Sequence, residues 1–547
     1  MDRIPTIASL VASHVEDRRR ALVFEDRWWN WSEVVWESNA RAHALASLLD
    51  PEQPQHVGVL MGNRPDYVFT LFGAALIGAT VVGINATRRG GELERDVTHT
   101  DCQLVISDTA HQHLLQGLGA IPTVHNVDSH AWVSRLIGNS ELALPDALPS
   151  PESLFVLIFT SGSTAAPKAV KRSQGRMAAG ATLGLTDRDV LYSAMPLSHG
   201  NGLSGNLIPA LQVGATVVLK ERFSASELMP DVRKHGVTYF NTVGRALSYV
   251  LATPADPLDR QHSVKWVLAP EASQRDAEAF LERFGVRAMS GYGSSESAIA
   301  MSPCTVPGAM GIAKPDEDVV VVDVDTLVEC PRAAFDAGGV LLNSEAAIGE
   351  VVRRDGYAGF EGYWNNDEAT RERIRGGWYH SGDLAYRDAD GVFFFAGRLG
   401  DWIRVDSENF ATAPIERILS RHPDVAAVAV YPVPDTHNGD QVMAAIELRP
   451  GTTLDLAEFH LWLREQPDLG TKWAPRFVRI SPGLPSTGNN KLNKRPLRTE
   501  GWRTVDAIWW QPQRGSHYLQ LTDHDKELLE TEMTSHGRGH LIPGGNA

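Results

Sequence analysis

Short apolar runs alternate along this chain with stretches of helical spacing, and that alternation predicts largely parallel sheets with covered faces. From Ala21 the pattern predicts a hairpin carrying aromatic residues, then an amphipathic helix from Trp31 to Leu49. The runs Leu104 to Asp108 and Leu154 to Phe159, rich in branched side chains, predict buried strands. Val264 to Pro270 predicts another strand, followed by a helix from Gln274 to Phe284. The segment Tyr67 to Ala86 is as long as a bilayer span and carries no charge. Its internal glycines and β-branched end favour a buried helix, Tyr67 to Ile77, broken at Gly78 and followed by an interior strand, Thr80 to Ile84. Beyond residue 402 the order is helix, strand, strand, helix (Leu456 to Glu465), strand, a compact α+β unit.

Composition narrows the class. A chain of 547 residues exceeds what one core can serve, and 43% hydrophobic with 22% charged residues is ordinary for a globular protein. A net charge of −16 argues against nucleic acid as a partner, because that affinity is built from Lys and Arg neutralising phosphates. Cys102, Cys304 and Cys330 match no zinc spacing and no disulfide framework, which suits a reducing cytosol. The N-terminal residues lack the apolar core of a signal peptide, so a cytoplasmic location is expected. Peripheral membrane contact and a homodimer stay open.

Several segments carry candidate chemistry. The strand Leu154 to Phe159 empties into Thr160, Ser161, Gly162, Ser163 and Thr164, where backbone N–H groups can converge on an anion and Lys168 adds a movable charge. A plain surface turn is the alternative. The motif is not a Walker loop, since Pro167 precedes Lys168 and Ala169 follows it. Gly200, Gly202 and Gly205, with Glu221 downstream, spell a dinucleotide fingerprint between two strands. In Met289 to Ser297, Gly291 and Gly293 permit close backbone approach, Tyr292 offers a flat face to a purine, and Glu296 offers a carboxylate to Mg²⁺. Asp383 falls in a Ser-Gly-Asp turn, placed to accept two ribose hydroxyls or merely to close an Asx-turn. Lys491 lies in a Gly/Asn-rich turn.

Taken in order, these segments resemble the motifs of the adenylate-forming superfamily, which includes acyl-CoA synthetases, luciferases and peptide-synthetase adenylation domains. The resemblance implies a large α/β N-terminal domain of mostly parallel sheets, residues 1–400, joined by a hinge at Asp401 to a small, mobile α+β C-terminal domain, residues 401–547. It assigns Thr160 to Thr164, Lys168, Glu271, Gly291 to Ser295, Asp383, Arg398 and Lys491 to ATP, and Glu296 with Thr164 to Mg²⁺. His199, Gly202, Val243, Gly244, Ala269 and Pro270 would meet the acyl substrate. Lys491, Glu296, Lys168 and Thr164 would be catalytic. The implied reaction joins a small-molecule carboxylic acid to AMP with loss of pyrophosphate, then to coenzyme A. Departures are Ala165 and Ala169 where relatives carry Gly, Ser295 in place of Thr, and Asp406-Ser407 in place of Lys-Gly. The last pair bears on thioester formation more than on adenylation. Val237 to Pro254 and the tail after Trp509 are similar to the fatty-acid-transport-protein and very-long-chain acyl-CoA synthetase branch, actinobacterial type, which implies a long-chain fatty or sterol side-chain acid. Loading of a carrier protein, non-catalytic binding of nucleotide or acyl group, and a dinucleotide oxidoreductase are the competing functions.

Overall fold

A computed structural model describes residues 4–544 except 161–167, 271, 273, 307, 337–340, 400–401, 406–407, 438, 467–468, 471 and 487–491. Two sheets dominate up to Arg398. In the six-stranded sheet, Thr123–Asn126, Cys102–Ser107, His56–Leu60, Thr80–Gly83 and Leu154–Thr160 run parallel in that spatial order. Lys168–Ser173 then pairs antiparallel with the last of them. The fourteen-stranded sheet is parallel from Arg20–Phe24 through Thr216–Leu219, Val190–Ser193, Tyr239–Asn241 and Trp266–Leu268 to Ala288–Gly293. From there it continues antiparallel through Ala300–Cys304, Ala309–Ala313, Val392–Arg398, Trp378–Arg387, Gly349–Arg353 and Val319–Val322.

The helix expected over Tyr67 to Ile77 is Pro65–Ile77, which starts two residues earlier and takes in Asp66. Proline sits in its first turn, where a missing N–H costs nothing, and Gly78 closes it in the left-handed region at φ 77°. Leu71, Phe72, Ala74, Ala75 and Leu76 have no exposed surface. Full burial of a leucine or phenylalanine contributes about 1.5–3 kcal/mol. The helix lies against Trp31–Ala46, which starts from a capping box between Asn30 and Glu33. A Cβ on Gly73 would lie 2.5 Å from the Ser38 carbonyl oxygen, so only glycine permits that helix contact. Among the described residues no helix is long and apolar enough to cross a membrane.

Sheet pairing stops at Arg398 and resumes with a separate hairpin, Trp402–Val405 and Glu408–Ala411. After it comes a five-stranded sheet: Val425–Pro434, Asp440–Leu448, Phe477–Ser481, Ala507–Trp510 and Leu519–Gln520. Helices Thr412–Leu419 and Leu456–Arg464 complete the α+β unit, and its last strands and the helix Asp523–Ser535 extend it. Elsewhere the strand expected over Val264–Pro270 is shorter, Trp266–Leu268, the three residues in register with Tyr239–Asn241. Asp383 is not in a free turn but inside Trp378–Arg387, where Gly382 at φ 71° kinks the strand.

Candidate active site

A cleft of ≈3450 Å³ opens between the large sheets and the small C-terminal unit. Thr160 and Lys168, the paired ends of the hairpin Leu154–Thr160 and Lys168–Ser173, stand at its wall. The turn between them, with Ser161, Gly162, Ser163 and Thr164, lies outside the described residues, as do Glu271, Asp401, Asp406, Ser407 and Lys491.

Glu296 is 6% exposed and lines the cleft. The Tyr363 hydroxyl donates to its Oε1 at 2.7 Å and accepts from Arg373 Nε at 3.3 Å. Burial, and then the Glu296 charge, hold the Tyr363 hydroxyl above its ordinary value, so it remains a donor. Lys168 Nζ sits 5.9 Å over the Tyr363 ring. Backbone bonds fasten this cluster to the hairpin: Lys171 N–H donates to Gly362 at 3.0 Å and Trp364 N–H to Ala169 at 2.8 Å.

A second cluster forms around Asp383, 9% exposed. It accepts from the Tyr292 hydroxyl at 2.5 Å and faces Arg398 Nε at 3.3 Å, across a register that sets Asp383 opposite Arg398. Burial holds the Asp383 carboxyl above its ordinary value, with Arg398 and Tyr292 pulling it back. The kink is held from beneath: Gly382 N–H donates to Glu350 Oε1 at 2.9 Å, while Glu350 Oε2 meets His380 Nδ1 at 2.8 Å and Arg375 Nη2 at 3.0 Å. Arg373 joins the clusters, since the guanidinium that bonds Tyr363 also donates to the carbonyls of His380, at 3.2 Å, and Ser381.

Gly291, Gly293, Ser294 and Ser295 line the same cleft, and a Cβ on Gly293 would meet no atom within 4 Å, leaving space for a ligand against the backbone. His199, Val243, Gly244 and Pro270 line it as well. Gly202 and Ala269 do not. Gly202 is buried with its open face against the Pro196 carbonyl, and Ala269 is sealed in the sheet by an N–H bond to Met289 O at 2.8 Å. The dinucleotide fingerprint dissolves in the same way, because Gly205 faces the Asn241 side chain and Glu221 lies beside Gly62. Met177, Ala181, Leu183, Ile208 and Pro209 add apolar lining to the cleft.

The sequence profile of AMP-binding enzymes matches residues 11–364, and that of the AMP-binding enzyme C-terminal domain matches residues 414–491. The chain belongs to the AMP-binding enzyme family. This AMP-binding enzyme is 46% identical to a steroid-22-oyl-CoA synthetase of Rhodococcus jostii (strain RHA1), over 98% of this chain and 99% of that one. It is 42% identical to the medium/long-chain-fatty-acid–CoA ligase FadD17 of Mycobacterium tuberculosis, over 92% and 98% of the two chains. Its fold is similar to that of the anthranilate CoA ligase AuaEII in complex with anthranoyl-AMP, with a TM-score of 0.79 at 23% identity, covering 91% of this chain and 98% of that one.

Sequence reasoning about this AMP-binding enzyme missed Tyr363, Arg373 and the part Glu350 plays beneath Asp383. Tyr363 and Glu350 lie outside the segments whose residue types point to chemistry, and nothing local marks Arg373. Among the described residues, one group of three potential metal ligands occurs, the exposed His437, Glu532 and His536 of the C-terminal unit. Glu296 offers a carboxylate on the cleft wall, which fits Mg²⁺ that takes other ligands from phosphate oxygens and water.

Proposed function

We propose that this AMP-binding enzyme is an ATP-dependent acid–thiol ligase that activates a lipophilic carboxylic acid as acyl-AMP and transfers the acyl group to coenzyme A. The observation that carries the reading is the pair of clusters on one cleft, Glu296–Tyr363–Lys168 and Tyr292–Asp383–Arg398, tied together by Arg373. In this reading Asp383 accepts the ribose hydroxyls, with Arg398 and Tyr292 holding its carboxylate in place. Glu296 anchors the cation, and Lys168 approaches the phosphates. Mg²⁺ bound there offsets charge on the phosphate oxygens. The substrate carboxylate, with the rest of the acid against His199, Val243, Gly244 and the apolar lining of the cleft, attacks the α-phosphorus, and pyrophosphate carries away the bonding electron pair. Lys491 supplies a positive charge to the carboxylate and α-phosphate. The coenzyme A thiol, losing its proton, then attacks the acyl carbon and AMP leaves.

A lipophilic acid is supported by the named activities of the relatives and by the apolar residues that line the cleft. Division into residues 1–400 and 401–547 about Asp401 is supported by the change of sheet between Arg398 and Trp402. Three free thiols support a cytoplasmic setting. A panel of steroid side-chain, fatty and aromatic acids, scored separately for pyrophosphate and for acyl-CoA, tests the proposal. Both products should appear with the lipophilic acids and vanish in Lys491→Ala. Pyrophosphate without thioester would overturn the coenzyme A step, and neither product with any acid would overturn the ligase.

A further inference from the structure

Arg245 lies in the first turn of the helix Gly244–Leu251, next to Val243 and Gly244 on the wall of the cleft. That wall is fixed, because Gly244 N–H donates to Pro270 O at 2.9 Å and Ser248 Oγ to Asp276 at 2.7 Å. The Arg245 side chain leaves it and crosses to the C-terminal unit. Nη2 donates to Glu447 Oε2 at 3.1 Å and to the Leu484 carbonyl at 3.0 Å, while Nε is steadied by Tyr249 Oη at 2.7 Å. The same Glu447 oxygen accepts the Leu484 N–H at 3.0 Å, so guanidinium, carboxylate and peptide close on one another. Arg245 and Glu447 side chains are only 14% and 17% exposed, where water screens the pair less than at an open surface. Leu484 is buried and lies two residues before Ser486, which forms a bridge with Leu492. In sequence, Lys491 falls between those two bridged residues.

We propose that Arg245 is a positioning residue for acyl-AMP formation. It docks the C-terminal unit, through Glu447 and Leu484, against the cleft wall that carries Val243 and Gly244, and so holds the unit to which Lys491 belongs in register with the acid. The inference rests on the role proposed above for Lys491. The link serves the step that needs Lys491 and is dispensable once acyl-AMP exists.

The two half-reactions separate the possibilities. Arg245→Met and Glu447→Gln should each slow acid-dependent pyrophosphate release about 10- to 100-fold, mainly in kcat. The double variant should lose less than the product of the two. Thioester formation from supplied acyl-adenylate and coenzyme A should stay within about threefold of the wild type, as should the KM for ATP. Lys491→Ala is run alongside. If it releases pyrophosphate normally, the reading of Lys491 has failed; if it is inactive while Arg245→Met is unimpaired, only the Arg245 link has failed. Equal losses in both half-reactions, or fully multiplicative losses in the double variant, would also overturn the link.

Discussion

Asp383→Asn separates binding of the ribose from support of the fold. In the structure the carboxylate is nearly buried, bonded by the Tyr292 hydroxyl at 2.5 Å and faced by Arg398 at 3.3 Å. A carboxylate accepts both ribose hydroxyls, and each charge-assisted bond contributes about 1.5–3 kcal/mol. Asparagine keeps one acceptor and turns an NH₂ toward the other hydroxyl, so about one such bond is lost, or roughly 10- to 150-fold in kcat/KM for ATP. The fold should not suffer. Burial raises the Asp383 carboxyl above its ordinary value, so the native state holds that proton more tightly than the unfolded chain does. Its ionisation therefore costs stability as pH rises through the folded value, and asparagine removes this cost. The Arg398 partner is half exposed and contributes little to stability. The assay varies ATP at saturating acid and records the thermal midpoint of the same preparations. A kcat/KM for ATP within about threefold of the wild type, or a lower midpoint with ATP and acid constants worsening together, would refute the reasoning.

Glu296→Gln should slow pyrophosphate release by about 100-fold or more, several kcal/mol of charge stabilisation, and a Mg²⁺ titration should show saturation displaced to higher concentration. Tyr363→Phe strips Glu296 Oε1 and Arg373 Nε of their shared partner, and chemical denaturation should show a loss of about 1–3 kcal/mol together with lower activity. Asp96, on the helix Gly90–His99, is 2% exposed, and burial pushes its carboxyl up to about 6 although Arg88 opposes the shift. A raised carboxylate value means stability present at low pH is lost as pH rises through about 6, so the wild-type thermal midpoint should fall across that range and Asp96→Asn should flatten the fall.

Local sequence disclosed those elements whose ends are written in neighbouring residues. Gln274–Phe284 has the expected bounds, and the helix expected from Tyr67 ends before Gly78 as the sequence implies but begins two residues earlier, at Pro65. Strand ends were less legible, since Trp266–Leu268 is limited by its partners rather than by its own side chains. The antiparallel half of the long sheet escaped notice for the same reason: alternation of strands and helices says nothing about Ala300–Cys304 through Trp378–Arg387, which pair directly with one another. Glu296 and Asp383 could be picked out because glycine and hydroxyl neighbours mark them. Tyr363 and Glu350 could not, because each meets its partner across many intervening residues, and Arg373 could not, because it acts through backbone carbonyls and a hydroxyl that no local pattern marks. Gly202 and Ala269 failed as lining residues for the opposite reason, since proximity in sequence to His199 and Pro270 does not decide which way a backbone faces.

The central claim is that one nucleotide spans the two clusters. A crystal structure of the enzyme with Mg²⁺ and a non-hydrolysable ATP analogue measures this directly. The account predicts the ribose hydroxyls on the Asp383 carboxylate and the cation on Glu296, with the phosphate chain passing Lys168. A nucleotide bound with its ribose away from Asp383, or a cation held elsewhere than at Glu296, would contradict it.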